Sequence, residues 1–163
     1  MTIAHDLKQE AHRGPHIALE CSLPSEVTAI SPFVDKLMLL LRNCSCAPEG
    51  VGDVEIALRE ALANAIIHGN DEDHRKHVHV TCRWEPDEVS IAVRDEGKRF
   101  DTNNLPDPTA PENIGSVHGR GIHVMKALMD EVRFEEGGVV VHMRKGVVEA
   151  PKLLAKDPHK NEN

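Results

Sequence analysis

Residues 60–69 read Glu60-Ala61-Leu62-Ala63-Asn64-Ala65-Ile66-Ile67-His68-Gly69. Through this stretch and the residues before it, Val54, Ala57, Leu58, Ala61, Leu62 and Ala65 recur at helical spacing. The pattern predicts an amphipathic helix from about Asp53 to Gly69, with Gly69 as its C-terminal residue. Glu60, Asn64 and His68 each lie one helical turn apart, so they stay on one side of that helix. Ala61, Ala63 and Ala65 keep the surroundings small enough for another group to approach closely. The Asn64 amide oxygen is a hard ligand suited to Mg²⁺, which takes few protein ligands and keeps water and phosphate oxygens. Glu60, one turn away, is placed to orient a water or to take a proton from a hydroxyl. The same spacing also fits an ordinary exposed polar face, so the helix alone does not decide the function.

On the N-terminal side, Ile17, Leu19, Cys21 and Leu23 alternate with polar residues and predict a half-buried strand. Ser31-Pro32 reads as a helix N-cap with proline at the first helical position. Phe33, Val34, Leu37, Met38 and Leu41 then follow at helical spacing. On the C-terminal side, Val78, Val80, Cys82 and Trp84 alternate, Pro86-Asp87 turns the chain, and Val89, Ile91 and Val93 alternate again. Residues 97–118 carry Pro106, Pro108 and Pro111 without any period, as a lid does. A third helix is predicted to begin at Gly119–Gly121. Val132 and Phe134, then Glu136-Gly137-Gly138, then Val139, Val141 and Met143 predict a last hairpin. The order is β-α-α-β-β-α-β-β. Its simplest packing is a two-layer α/β sandwich: one mixed, mostly antiparallel sheet with helices on one face.

Two further constellations lie along this order. Asp95-Glu96-Gly97 closes a strand. A carboxylate there can accept a hydrogen bond from an exocyclic amine such as that of adenine, and Gly97 lets a flat ligand approach the backbone. A plain turn after a strand has the same composition. Gly115-Ser116-Val117-His118-Gly119-Arg120-Gly121 leads into a helix, whose N-terminal N–H groups favour an anion, and Arg120 adds a fork of donors. No P-loop signature is present.

Together, and in this order, the three stretches resemble the nucleotide site of the GHKL superfamily, the histidine-kinase-like ATPases of the Bergerat fold. Glu60 to Gly69 matches the N box, Asp95-Glu96-Gly97-Lys98-Arg99-Phe100-Asp101 the G1 box, and Gly119-Arg120-Gly121-Ile122 the G2 box. Within the superfamily the chain looks most like the small anti-sigma-factor serine/threonine protein kinases, through Leu58-Arg59-Glu60-Ala61 and the run from Arg120 to Val132. Arg99 departs from sensor histidine kinases, which usually have glycine there. The resemblance implies ATP and Mg²⁺ as cofactors, Asn64 as the metal ligand, Glu60 as the catalytic base and Asp95 as the reader of adenine. His68, Gly97, Phe100, Gly119, Arg120, Gly121 and Ile122 would surround the nucleotide, with His68 also fitting a structural role. It further implies a sigma factor and an anti-sigma antagonist protein as partners, and a homodimer. The implied activity is transfer of phosphate from ATP to a serine of the antagonist. The alternative is a module that holds nucleotide and acts only by binding a regulatory partner. A detached sensor-kinase catalytic domain is a third reading; no upstream helix pair with a phosphoacceptor histidine precedes the N box.

The composition narrows the field in the same direction. The chain has 163 residues and a formal net charge of -8, which suits one domain and does not suit a phosphate-backbone binder. Aromatic residues make up 2%, too few for a base-stacking surface. The expected organisation is a polar arm over 1–15, an ATPase domain over 16–146 and a polar tail over 147–163. The Leu37–Leu41 run is far short of the about 20 residues a membrane helix needs, and no secretory signal is visible, so the protein is expected in the cytoplasm. Cys21, Cys44, Cys46 and Cys82 are then expected to be reduced.

Overall fold

In a computed structural model, residues 17–42, 50–85, 87–98 and 117–146 are described. Among these residues five strands and three helices follow in the order β1 (Ile17–Pro24), α1 (Ile30–Arg42), α2 (Val51–Asn64), β2 (His77–Trp84), β3 (Glu88–Arg94), α3 (Val117–Leu128), β4 (Glu131–Glu135) and β5 (Val140–Gly146). The strands form one sheet in the order β1-β2-β3-β5-β4. Every pairing among the described strands is antiparallel, so the parallel component expected of a mixed sheet is not found there.

Alternation decides which face of the sheet the helices cover. Val78, Val80, Cys82 and Trp84 on β2, Val89, Ile91 and Val93 on β3, and Val141 and Met143 on β5 are buried. Their neighbours His77, His79, Arg83 and Arg94 stay exposed. Register keeps the apolar faces together: Val80 lies opposite Val93, and Val93 opposite Val141. Leu37 and Leu41 of α1 and Leu58 and Leu62 of α2 fill the layer between helices and sheet with almost no exposure. Burying each such side chain contributes roughly 1.5–3 kcal/mol. The core is aliphatic but for Trp84, as the composition requires. Arg59 ties α1 to α2 from outside, donating to Ser31 Oγ at 3.1 Å, Asp35 at 2.7 Å and Glu55.

Several element ends differ from the expected ones. α1 begins at Ile30 because a 3₁₀ turn over Val27–Ala29 runs straight into it. Pro32 therefore sits inside the first turn rather than at its first position, where its missing N–H still costs no helical bond. α3 begins at Val117, so Gly119 and Gly121 lie within its first turns instead of ahead of them. β5 starts at Val140, after a tight turn in which Glu136, Gly137 and Gly138 all have positive φ (52°, 68° and 87°). The α-helical part of α2 ends at Asn64, and a π-type turn over Ala65–Gly69 completes it. The expected arm, lid and tail, with Phe100, Cys44 and Cys46, fall outside the described residues apart from the lid's two ends.

The two inner helices run antiparallel. The α2 start is joined to the α3 end through Lys145 of β5, whose Nζ donates to Asp53 Oδ2 at 2.9 Å and to the Leu128 carbonyl at 2.6 Å. The other end of the pair, where α2 finishes and α3 starts, carries the polar residues singled out above.

Candidate functional site

α2 and α3 meet at a glycine. A Cβ placed on Gly121 would stand 2.7 Å from Glu60 Oε2 and 3.2 Å from the Asn64 amide. Any larger residue would push both side chains aside, so Gly121 is what lets α3 lie against the polar face of α2. This contact joins two of the three stretches that the sequence separates by more than fifty residues.

The third joins through the π turn. Its widened ring is closed by the Asn70 N–H, which donates to the Ala65 carbonyl at 2.8 Å. Such turns recur at functional sites because they re-aim the residues that follow. Here the turn presses Gly69 against Asp95: a Cβ on Gly69 would come within 2.4 Å of the Asp95 carboxyl. Gly97 is held as tightly, since a Cβ there would fall 1.8 Å from the Gly69 carbonyl oxygen. Asp95 is 7% exposed. Its Oδ1 accepts the Gly97 N–H at 2.7 Å. Burial pushes the Asp95 carboxyl above the usual aspartate range, against the lowering pull of the Gly97 N–H, Lys76 and Arg94. A buried carboxylate with one oxygen committed can still accept from a ligand donor through the other.

Between these contacts opens a cavity of about 440 Å³, of the size that small-molecule sites take. Asn64, His68, Gly69, Asp95 and Ile122 line it, with Val93, Met125, Phe134 and Val141 as its apolar floor. Glu60 and Gly121 stand beside the wall through their contact with Asn64 rather than on it. Gly97 closes the loop behind Asp95. Arg120 is exposed in the first turn of α3 and is not among the wall residues; Gly119 lies in the same turn. Phe100 lies outside the described residues.

Three polar residues of the wall or its anchor were not singled out from sequence. Asp71 and Lys98 line the cavity; Lys98 lies within the G1 box but was given no role there, and nothing in the spacing marks Asp71. Asn70 is fully buried, and only its place directly after Gly69 could have drawn notice. His74, His77 and His79, spaced as His-x-x-His-x-His, are drawn to carboxylates instead of to one another: His79 Nε2 pairs with Glu96 Oε1 at 2.9 Å, and His74 stands 3.6 Å from Glu26. Among the described residues no group of three His, Cys, Asp or Glu is placed to hold an ion. The one amide and one carboxylate at Asn64 and Glu60 fit instead a cation that completes its shell with phosphate oxygens and water, which is how Mg²⁺ is usually held. A flat base with an exocyclic amine fits the Asp95 end, between apolar side chains.

Residues 23–145 match the family described as Histidine kinase-like ATPase domain. Proteins named Serine-protein kinase RsbW are similar. That of Bacillus velezensis is 30% identical over 134 residues, covering 78% of this chain and 84% of that one. That of Bacillus licheniformis is 35% identical over 104 residues, covering 60% of this chain and 65% of that one. The Oceanobacillus iheyensis protein is 27% identical over 108 residues, covering 62% and 68%. The chain thus spans about two thirds of the length of the latter two relatives. The crystal structure of the RsbU and RsbW domains of a Mycobacterium tuberculosis protein superposes with a TM-score of 0.56 at 20% identity, over 83% of this chain and 33% of that one, a likeness of fold. The chain belongs to the histidine kinase-like ATPase (GHKL) family, among the relatives of the RsbW serine-protein kinases.

Proposed function

We propose that the protein is an anti-sigma regulatory factor and serine/threonine protein kinase: it binds Mg²⁺–ATP, phosphorylates a serine of an antagonist protein, and sequesters a sigma factor. The observation that carries the kinase reading is the close approach at Gly121, where a Cβ would stand 2.7 Å from Glu60 Oε2 and 3.2 Å from the Asn64 amide, beside a cavity that Asn64 and Asp95 both line. In this reading Asp95 accepts a hydrogen bond from the adenine amine and so fixes the register of the nucleotide. The Asn64 oxygen would hold Mg²⁺, which when bound neutralises charge on the phosphates. The N–H groups in the first turn of α3, with Arg120 beside them, face the phosphate chain. Glu60 takes the proton of the incoming serine hydroxyl, a role worth about 10²–10⁴ in rate for a placed carboxylate. A retained base at Glu60 is superfluous for a module that only holds nucleotide. A homodimer in the cytoplasm belongs to the same reading.

The test is phosphate transfer. The protein is mixed with radiolabelled Mg²⁺–ATP and a serine-bearing antagonist encoded beside it. Label is expected to appear on the antagonist, and to fall by at least a hundredfold with Glu60→Ala while ATP affinity changes less than about threefold. ATP binding without transfer to any partner, in the presence of a sigma factor that still binds, would overturn the kinase reading in favour of the binding module.

A further inference from the structure

Asn70 is a polar residue that the proposed chemistry leaves unused, although both the oxygen and the nitrogen of its side-chain amide are engaged. It has no exposed surface. Its backbone N–H donates to the Ala65 carbonyl, and its own carbonyl accepts the Asp73 N–H at 3.1 Å. Its side-chain Oδ1 accepts the Glu96 N–H at 2.8 Å, and Nδ2 donates to the His77 carbonyl at 2.9 Å. Glu96 Oε2 in turn accepts the His77 N–H at 3.1 Å. Asn70, His77 and Glu96 thus close a ring that joins the end of the π turn, the start of β2 and the exit of β3.

The position of this ring gives it meaning. Asn70 directly follows Gly69, and Glu96 directly follows Asp95. The ring therefore clamps the two residues whose backbone and carboxyl lie against each other at the cavity wall. No other hydrogen bond among the described residues reaches the Glu96 N–H. Without Oδ1, the main chain of the Asp95–Gly97 turn keeps the Asp95 N–H bond to the Val139 carbonyl and the Gly97 N–H bond to Asp95 Oδ1, and only the exposed Glu96 carboxylate still reaches His77 and His79. Buried amides with all their groups satisfied are costly to replace and confine their neighbours to one arrangement.

We infer that Asn70 is a positioning residue for base recognition: by holding Glu96 it sets where the Asp95 carboxylate stands, and so governs discrimination between bases with and without a 6-amino group. This rests on the reading of Asp95 as the acceptor of the base amine. A carboxylate held in place accepts from the adenine amine and faces the 6-oxygen of hypoxanthine, an acceptor, with nothing to bond. A carboxylate released from the ring can turn away from that oxygen and loses its preference.

The experiment is calorimetric titration of the full chain with ATP and with inosine triphosphate at saturating Mg²⁺, on the wild type, Asn70→Ala and Glu96→Ala. The wild type is expected to favour ATP by tenfold or more. Asn70→Ala is expected to cut that ratio at least fivefold, with the inosine triphosphate affinity changed less than twofold. Glu96→Ala opens the same ring from its exposed side, so it folds even where Asn70→Ala does not. It is expected to lower the ratio two- to threefold. Equal weakening of both nucleotides, or an unchanged ratio in Glu96→Ala, would overturn the inference while leaving Asp95 as the base reader. A wild-type ratio near one would overturn both.

Discussion

The two ends of the α2–α3 pair are built on opposite rules. At the closed end polar groups are spent on the fold: Lys145 Nζ is shared between Asp53 and the Leu128 carbonyl, and the Gly146 N–H donates to Asp130 Oδ2 at 2.7 Å. At the open end the elements approach closely because glycines leave room, not because charges pull them together. Gly121 makes room for Glu60 and Asn64, Gly69 for Asp95, and Gly97 for the Gly69 carbonyl. The closed end fixes the helices; the open end keeps carboxylates and an amide that the fold does not consume. Polar groups left with capacity beside a cavity mark function, whereas polar groups fully spent mark structure. Asn70 is the exception, a fully spent group placed at the open end.

This contrast can be broken most forcefully at Gly97. Its Cβ would fall inside the radius of a backbone oxygen, which cannot swing away as a side chain can. Gly97→Ala is expected to abolish measurable ATP binding, a loss of more than a hundredfold, and to lower stability by about 1–3 kcal/mol by overpacking. Calorimetry and urea melts check both. ATP binding within threefold of wild type would show that the turn is not part of the site.

Asp95→Asn separates function from stability. The amide keeps an acceptor for the Gly97 N–H but cannot act as a carboxylate, so ATP affinity is expected to fall about thirtyfold. The melting temperature should hold or rise, because burial disfavours the charged carboxylate. The sign follows from linkage. A carboxyl whose folded pKa lies above its unfolded one binds protons more readily in the native state, so its ionisation costs stability as pH rises through that window. In the wild type the preference for ATP should decay on acidification above the ordinary aspartate range, and Asp95→Asn should flatten that part of the profile.

The smallest effect belongs to the closed end. Lys145→Met retains the aliphatic stem and deletes the charge. It is expected to destabilise the protein by about 1–2 kcal/mol, as loss of a charged hydrogen bond does, with ATP affinity changed less than twofold. A large loss of ATP affinity would mean the two ends are coupled rather than divided.

The sequence made the layers legible because burial follows a period. Val78, Val80, Cys82 and Trp84 can share a face only in a strand, and Leu37 and Leu41 only in a helix. The family boxes were legible through glycines and carboxylates at fixed order, and the structure brings Asn64, His68, Asp95 and Ile122 to one wall. Element ends were not legible. The 3₁₀ turn before α1 and the π turn after Asn64 depend on where the chain must go next, which no local propensity states. Lys98 and Asp71 were missed because surface charges carry no period. Asn70 was missed because its partners, His77 and Glu96, meet it only across the folded sheet. No helix among the described residues is long and apolar enough to cross a membrane. Cys21 and Cys82 are free thiols, and burial pushes them up to about 11 and about 12.

In the proposed function, Asn64, Glu60 and Asp95 serve one Mg²⁺–ATP site. The most direct test is the Mg²⁺ dependence of ATP affinity, measured by calorimetry with and without chelator, in wild type and Asn64→Ala. Mg²⁺ is expected to tighten wild-type binding at least tenfold and to leave Asn64→Ala almost unaffected, while both bind equally in chelator. An Asn64→Ala protein whose ATP binding still tightens as much with Mg²⁺ would contradict it.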